Sequence, residues 1–281
     1  MSERLSVLPT ASFPTSPAVE AEPAAAGPSF WQRLQGLLVP LTLIVFWETA
    51  VKVDLISAHL MPPPSEIVRT LRDLMADGSL WGHIGVSTLR VLIGFGIGAG
   101  LAIIVGALLG LSRRLEALFD PTFQALRAIP SLAWVPLLLL WQGIDESPKI
   151  TLIAIGAFFP VYLSLVAGIH NADRKLVEVG EMYGLGSLAL VRRILLPAAL
   201  PSLFTGIRTG LSLSWMFLVA AELIAATRGL GYLLTDGRET GRADLVIVAI
   251  ITLALLGKLS DSLLRWLERR LLAWRDVFGS R

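Results

Sequence analysis

The sequence predicts an all-α membrane protein with six transmembrane helices, and three observations carry that prediction. Of 281 residues, 54% are hydrophobic and only 16% are charged, with a mean hydropathy of +0.69, well away from the balance of a water-soluble domain. Apolar runs close to the ~20 residues needed to cross a bilayer recur along the chain, whereas the apolar/polar alternation of a membrane β-barrel does not. Between the fourth and fifth runs lies a polar, basic island, residues 176–201, LVEVGEMYGLGSLALVRRILLPAALP. The net charge of +2 gives no reason to expect nucleic acid, and the absence of cysteine removes disulfide and thiol chemistry.

Residues 1–30 carry Pro9, Pro14, Pro17, Pro23 and Pro28 among Ala, Ser and Glu and are expected to form a disordered tail. No basic start followed by a short apolar core precedes Trp31, so no cleaved leader is expected. From residue 31 to 281 the chain reads as one transmembrane domain with spans near 36–53, 84–111, 118–141, 150–169, 203–226 and 245–264. After the first span, Pro62, Pro63 and Pro64 break the chain, and Ser65 is placed to cap an amphipathic helix to about Met75 with Ile67, Leu71 and Leu74 on one face. That helix is expected at the membrane surface.

The second run is dense in glycine, at Gly94, Gly96, Gly98, Gly100, Gly106 and Gly110, a spacing that lets helix backbones approach closely. The third contains Pro121 and Pro130 and is expected to kink. The turn GIDESPK leads into the fourth, and a polar loop over 227–244 separates the fifth from the sixth. The basic stretch RWLERRLLAWR at the end is expected to lie along the interface and meet anionic lipid. Trp81, Trp141, Trp266 and Trp274 suit interfacial anchoring, while Trp134 and Trp215 fall deeper.

Six spans place both termini on one side. Segments on that side, with Arg113, Arg114, Arg174, Lys175, Arg192, Arg193 and the basic tail, hold twice the Lys and Arg of the other side, so termini and island are predicted to be cytoplasmic.

Read for chemistry, the island opens with a helix-compatible segment holding Glu178 and Glu181, breaks at Gly184 and Gly186, resumes through Arg192 and Arg193, and stops at Pro197 and Pro201. The spacing of Glu178, Gly184, Ile194, Leu196 and Pro197 resembles the EAA-loop signature of ABC importer permeases, with Val179 and Gly180 standing where the family has alanines. The segments SLWGHIGVSTLRVLIGF, LRAIPSLAWVPLLLLWQGIDESPKI, GLGYLLTDGRE and ALLGKLSDSLLRWLERR extend the resemblance from Trp31 onward to permeases of the nitrate, sulfonate and taurine group, aliphatic sulfonate permeases above all.

The resemblance implies a type I importer fold in a bacterial inner (plasma) membrane, a homodimer of this chain, two ABC ATPase subunits and a periplasmic substrate-binding protein. It makes residues 170–201 the coupling loop, with Glu178, Val179, Gly180, Gly184, Ile194, Leu196 and Pro197 seating the ATPase. No cofactor is expected on this chain, ATP and Mg being used by the partner. The residues agree, since the only Gly-Lys pair, Gly257 and Lys258, is followed by Leu259 and no phosphate-cradling loop exists. The glycines of GFGIGAG fall inside a span with no strand before them and suit packing.

Charges within spans mark either a pathway or a pair, because an isolated one is costly in lipid. Glu48, Arg90, Arg127, Arg208 and Glu222 qualify. The arginines could line a path for a passing sulfonate, whose oxygens suit a forked guanidinium, or could pair with Glu48, Glu222 or helix-end carbonyls. No metal site or catalytic residue is expected: His59, His83 and His170 are scattered, with no H-E-x-x-H. A secondary transporter would show paired broken helices in two repeated halves, which the sequence lacks, and would leave the island's spacing without a purpose.

Overall fold

The computed structural model describes residues 30–273, so most of the expected N-terminal tail, together with Trp274 and the basic residues after it, lies outside the described residues. Every described element is helical: α1 Phe30–Lys52, α2 Pro64–Ala76, α3 Ser79–Gly110, α4 Arg113–Ala128, α5 Val135–Gln142, α6 Glu146–His170, α7 Arg174–Met182, α8 Ser187–Leu190, α9 Leu196–Ala225, α10 Leu230–Glu239 and α11 Ala243–Leu271. Two units are distinguished, one ending at Phe46 and one beginning at Trp47. In the first, Leu38, Val39, Leu41, Leu43, Ile44 and Phe46 of α1 present their side chains outward. All packing described below belongs to the second.

Among the described residues, four stretches are long and apolar enough to cross a membrane: α3, α6, Leu188–Ile224, which joins α8 to α9, and α11. A fifth is available if α4 and the segment Ser131–Gln142 count as one span bent by 87°. The expected kink is therefore a break. Pro130 removes a backbone donor and bars helix at Ile129, which is extended, and Ser131–Trp134 restart the chain as a 3-10 turn leading into α5.

The centre of the unit is the layer α3–α6–α9, built on small residues. A Cβ at Gly98 would run into the carbonyl of Ala154, and one at Gly94 would lie 2.7 Å from Ile153 Cβ. Gly96 and Gly100, half a turn away, face open space. The close faces enclose Ala102, Tyr162, Leu165 and Ala199, with Phe123 and Phe158 stacked on Tyr162.

At the end where α3 begins, α2 and α10 pack with α11. Leu71 and Leu74 of α2 meet Leu80, Leu230, Leu233 and Leu245, so the amphipathic face read from the sequence is real and covers protein. The helix begins at Pro64, not Ser65, and Ser65 does not cap it. The Ser65 N–H and hydroxyl instead donate to Glu48 at 3.0 and 2.9 Å, and Glu48 also pairs with Lys52. Asp77 accepts the Ser79 N–H at the start of α3, and its hydrogen bonds from Ser79 hold its carboxyl below the usual range.

Three further bounds differ from the sequence reading. The polar loop 227–244 contains α10, whose Leu230, Leu233 and Gly237 recur at helical spacing and are buried. The basic stretch after the last apolar run is no separate element up to Leu271, because α11 continues through it, with the Arg270 guanidinium 4.4 Å from the Trp266 ring centre. The island's second helix does not stop at Pro197 or Pro201: a π turn over Val191–Leu195 passes into α9, where Pro197 lies in the first turn and Pro201 inside. Pro197 has no N–H to offer the carbonyl four residues back and would clash with it. The wider turn, in which Leu196 N–H reaches Val191 O, relieves that clash.

Candidate functional site

Helix α7 starts on Asp173, whose side chain accepts the Lys175 N–H at 2.8 Å. It ends in a paired closure: Gly184 N–H donates to Glu181 O at 2.9 Å and Leu185 N–H to Gly180 O at 3.0 Å, with Gly184 at φ +70°. A left-handed residue is needed there, and glycine takes it without strain. The chain then doubles back through α8 and the π turn, bringing Ile194 against α7. A Cβ on Gly180 would lie 2.5 Å from Ile194 Cδ1, so Gly180 is where the two arms touch.

The seven residues singled out in the island do not form one cluster. Val179, Gly180, Ile194 and Pro197 line an open groove of about 640 Å³, together with Leu176 and Tyr183. Glu178 stands outside it, exposed, and among the described residues pairs with Arg174 alone, at 3.0 Å. Gly184 shapes the turn, and Leu196 begins α9. At the tip, Met182, Tyr183 and Leu188 are 87%, 83% and 82% exposed, an apolar surface that sequence reasoning did not single out.

The span charges sort themselves by partner. Arg90 is buried and spends its whole fork: Nε and Nη2 donate to the Glu146 carboxylate at 2.6 Å each, and Nη1 donates to Glu222 Oε1 at 2.7 Å and to Arg228 O at 2.6 Å. Glu222 further accepts from Ser87 Oγ and from Gly231 N–H, and Lys149 Nζ lies 3.2 Å from Glu146. The cluster ties α3, α6, α9 and the start of α10 at the end of the bundle opposite the island, because α6 begins at Glu146 and ends at His170 beside α7. Arg208 of α9 donates to Asp261 at 3.0 Å and reaches Glu268 at 3.4 Å, both on α11. Arg127, exposed at the end of α4, has no hydrogen bond or ion pair among the described residues.

Sequence reasoning had Glu222 and Arg90 but not Glu146, Lys149 or Ser87. Glu146 and Lys149 sit in the turn GIDESPK and looked solvated, and a lone serine in an apolar run carries no signal. Within the cluster, Arg90 and Lys149 balance Glu146 and Glu222, and the distinctive surface of the island is its exposed apolar tip.

A bundle of apolar helices braced by internal ion pairs, carrying one exposed helical island between two spans, defines an integral membrane transport subunit. Comparison with known proteins agrees. The chain belongs to the binding-protein-dependent transport system inner membrane components, the match covering residues 95–273. It is 42% identical, over 87% of this chain and 89% of the relative, to the aliphatic sulfonates transport permease protein SsuC of Bacillus subtilis (strain 168). It is 44% identical to the SsuC of Escherichia coli (strain K12), over 88% and 94% of the two chains. The taurine transport system permease protein TauC of Escherichia coli (strain K12) is 35% identical over 83% and 86%. The chain is thus the permease subunit of an ABC transporter, and membership implies an ATPase subunit and a substrate-binding protein as partners.

Proposed function

We propose that this permease moves aliphatic sulfonates into the cytoplasm by alternating access, driven by ATP and Mg bound on the partner ATPase. The observation that carries the reading is identity of 42% and 44%, over most of the chain, to two aliphatic sulfonate permeases. Taurine stands as the second reading, because a taurine permease is 35% identical.

In this reading the fold is the type I importer fold with six passes. The outward apolar side chains of α1 suit lipid and supply the first pass, α3, the broken pair α4 and α5, α6, α9 and α11 the rest. Two copies of the chain assemble with two ATPase subunits and a periplasmic binding protein in the bacterial inner membrane, both termini and the island facing the cytoplasm. The island is the EAA coupling loop. Its paired closure at Gly184, its Gly180–Ile194 contact and its exposed tip support that role, since a push from the ATPase is transmitted only by a part with differential contacts in two states.

The test has two arms. A permease-deleted strain carrying this chain is grown on single sulfur sources; growth on alkanesulfonates is expected, and growth on taurine alone would overturn the substrate. The ATPase is then co-purified with Glu178→Ala and Gly184→Val. Because the exposed Glu178–Arg174 pair contributes little to folding, loss of the ATPase with intact membrane insertion reads docking. Unchanged co-purification with both variants would sink the coupling role.

A further inference from the structure

Of the five span charges singled out from the sequence, four are spent on partners inside the protein: Glu48 on Ser65 and Lys52, Arg90 and Glu222 on each other, with Glu146 on Arg90 as well, and Arg208 on Asp261. Arg127 alone among them is unspent within the described residues. It shares one face of α4 with Phe123 and Leu126, the i, i+3, i+4 relation that stacks side chains along a helix. Phe123 and Leu126 line an open cavity of about 420 Å³, together with Leu101 of α3, Trp134 of the 3-10 turn, and Phe158 and Phe159 of α6. Thr151 and the Trp134 indole are the only polar side chains in its wall, and the Thr151 hydroxyl is already bonded to Ser147 O at 2.9 Å.

The break between α4 and α5 says what medium this cavity meets. Ala128, Ile129 and Pro130 are exposed and not helical beyond Ala128, in the middle of a stretch otherwise suited to crossing a bilayer. Irregular backbone at membrane depth is not tolerated against lipid; it persists where it is covered by protein or lines a wet passage. Arg127 does not itself line the hollow, but it follows Leu126 and stands one turn on from Phe123, both of which do. A cation so placed beside an apolar hollow matches one kind of visitor, a small anion with an alkyl tail.

We propose that Arg127 and this cavity form the contact site for alkanesulfonates in transit, the sulfonate oxygens on the guanidinium and the alkyl chain against Phe123, Trp134 and Phe158. The proposal rests on the sulfonate reading above and sharpens it. Taurine, with an ammonium on its short tail, would bury an unpaired charge in the hollow and is selected against. Nitrate and bicarbonate bring no tail, and gain nothing from it.

The experiment uses the permease–ATPase complex in nanodiscs of phosphatidylcholine, titrated calorimetrically with the series from ethanesulfonate to octanesulfonate and with taurine. In the wild type, affinity is expected to rise about fourfold per methylene. Leu101→Trp, or Ile97→Trp from the same exposed edge of the wall, is expected to flatten that slope while leaving ethanesulfonate unchanged. Arg127→Gln is expected to weaken every member by about tenfold at unchanged slope. Taurine binding as tightly as ethanesulfonate, or a slope that neither tryptophan alters, overturns the site. So does displacement of octanesulfonate by phosphatidylglycerol in mixed nanodiscs, which assigns the hollow to an anionic lipid. Growth on alkanesulfonates together with a flat binding series removes this site and leaves the transported class standing.

Discussion

Arg90 Nη1 lies 2.7 Å from Glu222 Oε1, and the two side chains are 6% and 0% exposed. Removing one partner strands the other in a place with no water. Arg90→Leu is expected to destabilise the protein by about 3–5 kcal/mol, since Glu222 keeps only Ser87 and Gly231. The double change Arg90→Leu with Glu222→Leu should cost less than the sum of the singles. Thermal melting of the purified permease checks both, and additive losses would mean the pair is not coupled.

The contact of α3 with α6 predicts a contrast between two glycines half a turn apart on opposite faces of α3. Gly98→Val drives a side chain into the Ala154 carbonyl and should cost about 1–3 kcal/mol or more. Gly96→Val meets open space and should leave the melting temperature nearly unchanged. Equal effects would place the helices in a different register.

Gly180 predicts graded tolerance in the island. The atom a Cβ would meet is Ile194 Cδ1, the far end of a flexible side chain, so Gly180→Ala should be accommodated by a small rotation of Ile194. That is the residue type the EAA signature itself carries. Gly180→Leu cannot be accommodated and should separate the two arms, with loss of the co-purified ATPase while membrane insertion persists. Retained ATPase in Gly180→Leu would show that the contact does not hold the docking surface.

Arg208 joins α9 to α11 through Asp261 and Glu268. Arg208→Gln is expected to cost about 1 kcal/mol, the pairs being partly exposed, and to raise protease sensitivity in the C-terminal half of α11. The reversed pair, Arg208→Asp with Asp261→Arg, should recover part of the loss. Concentration dependence of sulfonate uptake should not move; a raised KM in Arg208→Gln would put this arginine in the path.

Much of this was legible without coordinates, and the exceptions share a cause. Apolar runs and the small residues of α3 are local signals, so the four long apolar stretches among the described residues and the close packing of α3 could be read directly, but not which of its glycines face α6. Glu222 and Arg90 stood out as charges where charges are costly. Their partner Glu146 did not, because it is near Asp145 and Lys149 in sequence and becomes part of the cluster only when α3 and α6 lie side by side. Likewise Pro130 announced an interruption, but whether it gives a kink or an 87° break depends on what α4 and α5 pack against, which no window of sequence contains. Ser65 stands near the start of α2 where a cap belongs, but its N–H and hydroxyl are taken by a carboxylate from another helix, which no local pattern announces.

The exposed trio Met182, Tyr183 and Leu188 also bears on the life of the subunit outside its assembly. A chain that offers three large apolar side chains to water is sticky, and will cling to other copies, to chaperones or to degradative enzymes in proportion to the time they stay bare. If the ATPase is what covers them, production of this chain ahead of its partner shortens its lifetime, and the cell can count the two subunits against each other without any sensor beyond that uncovered tip.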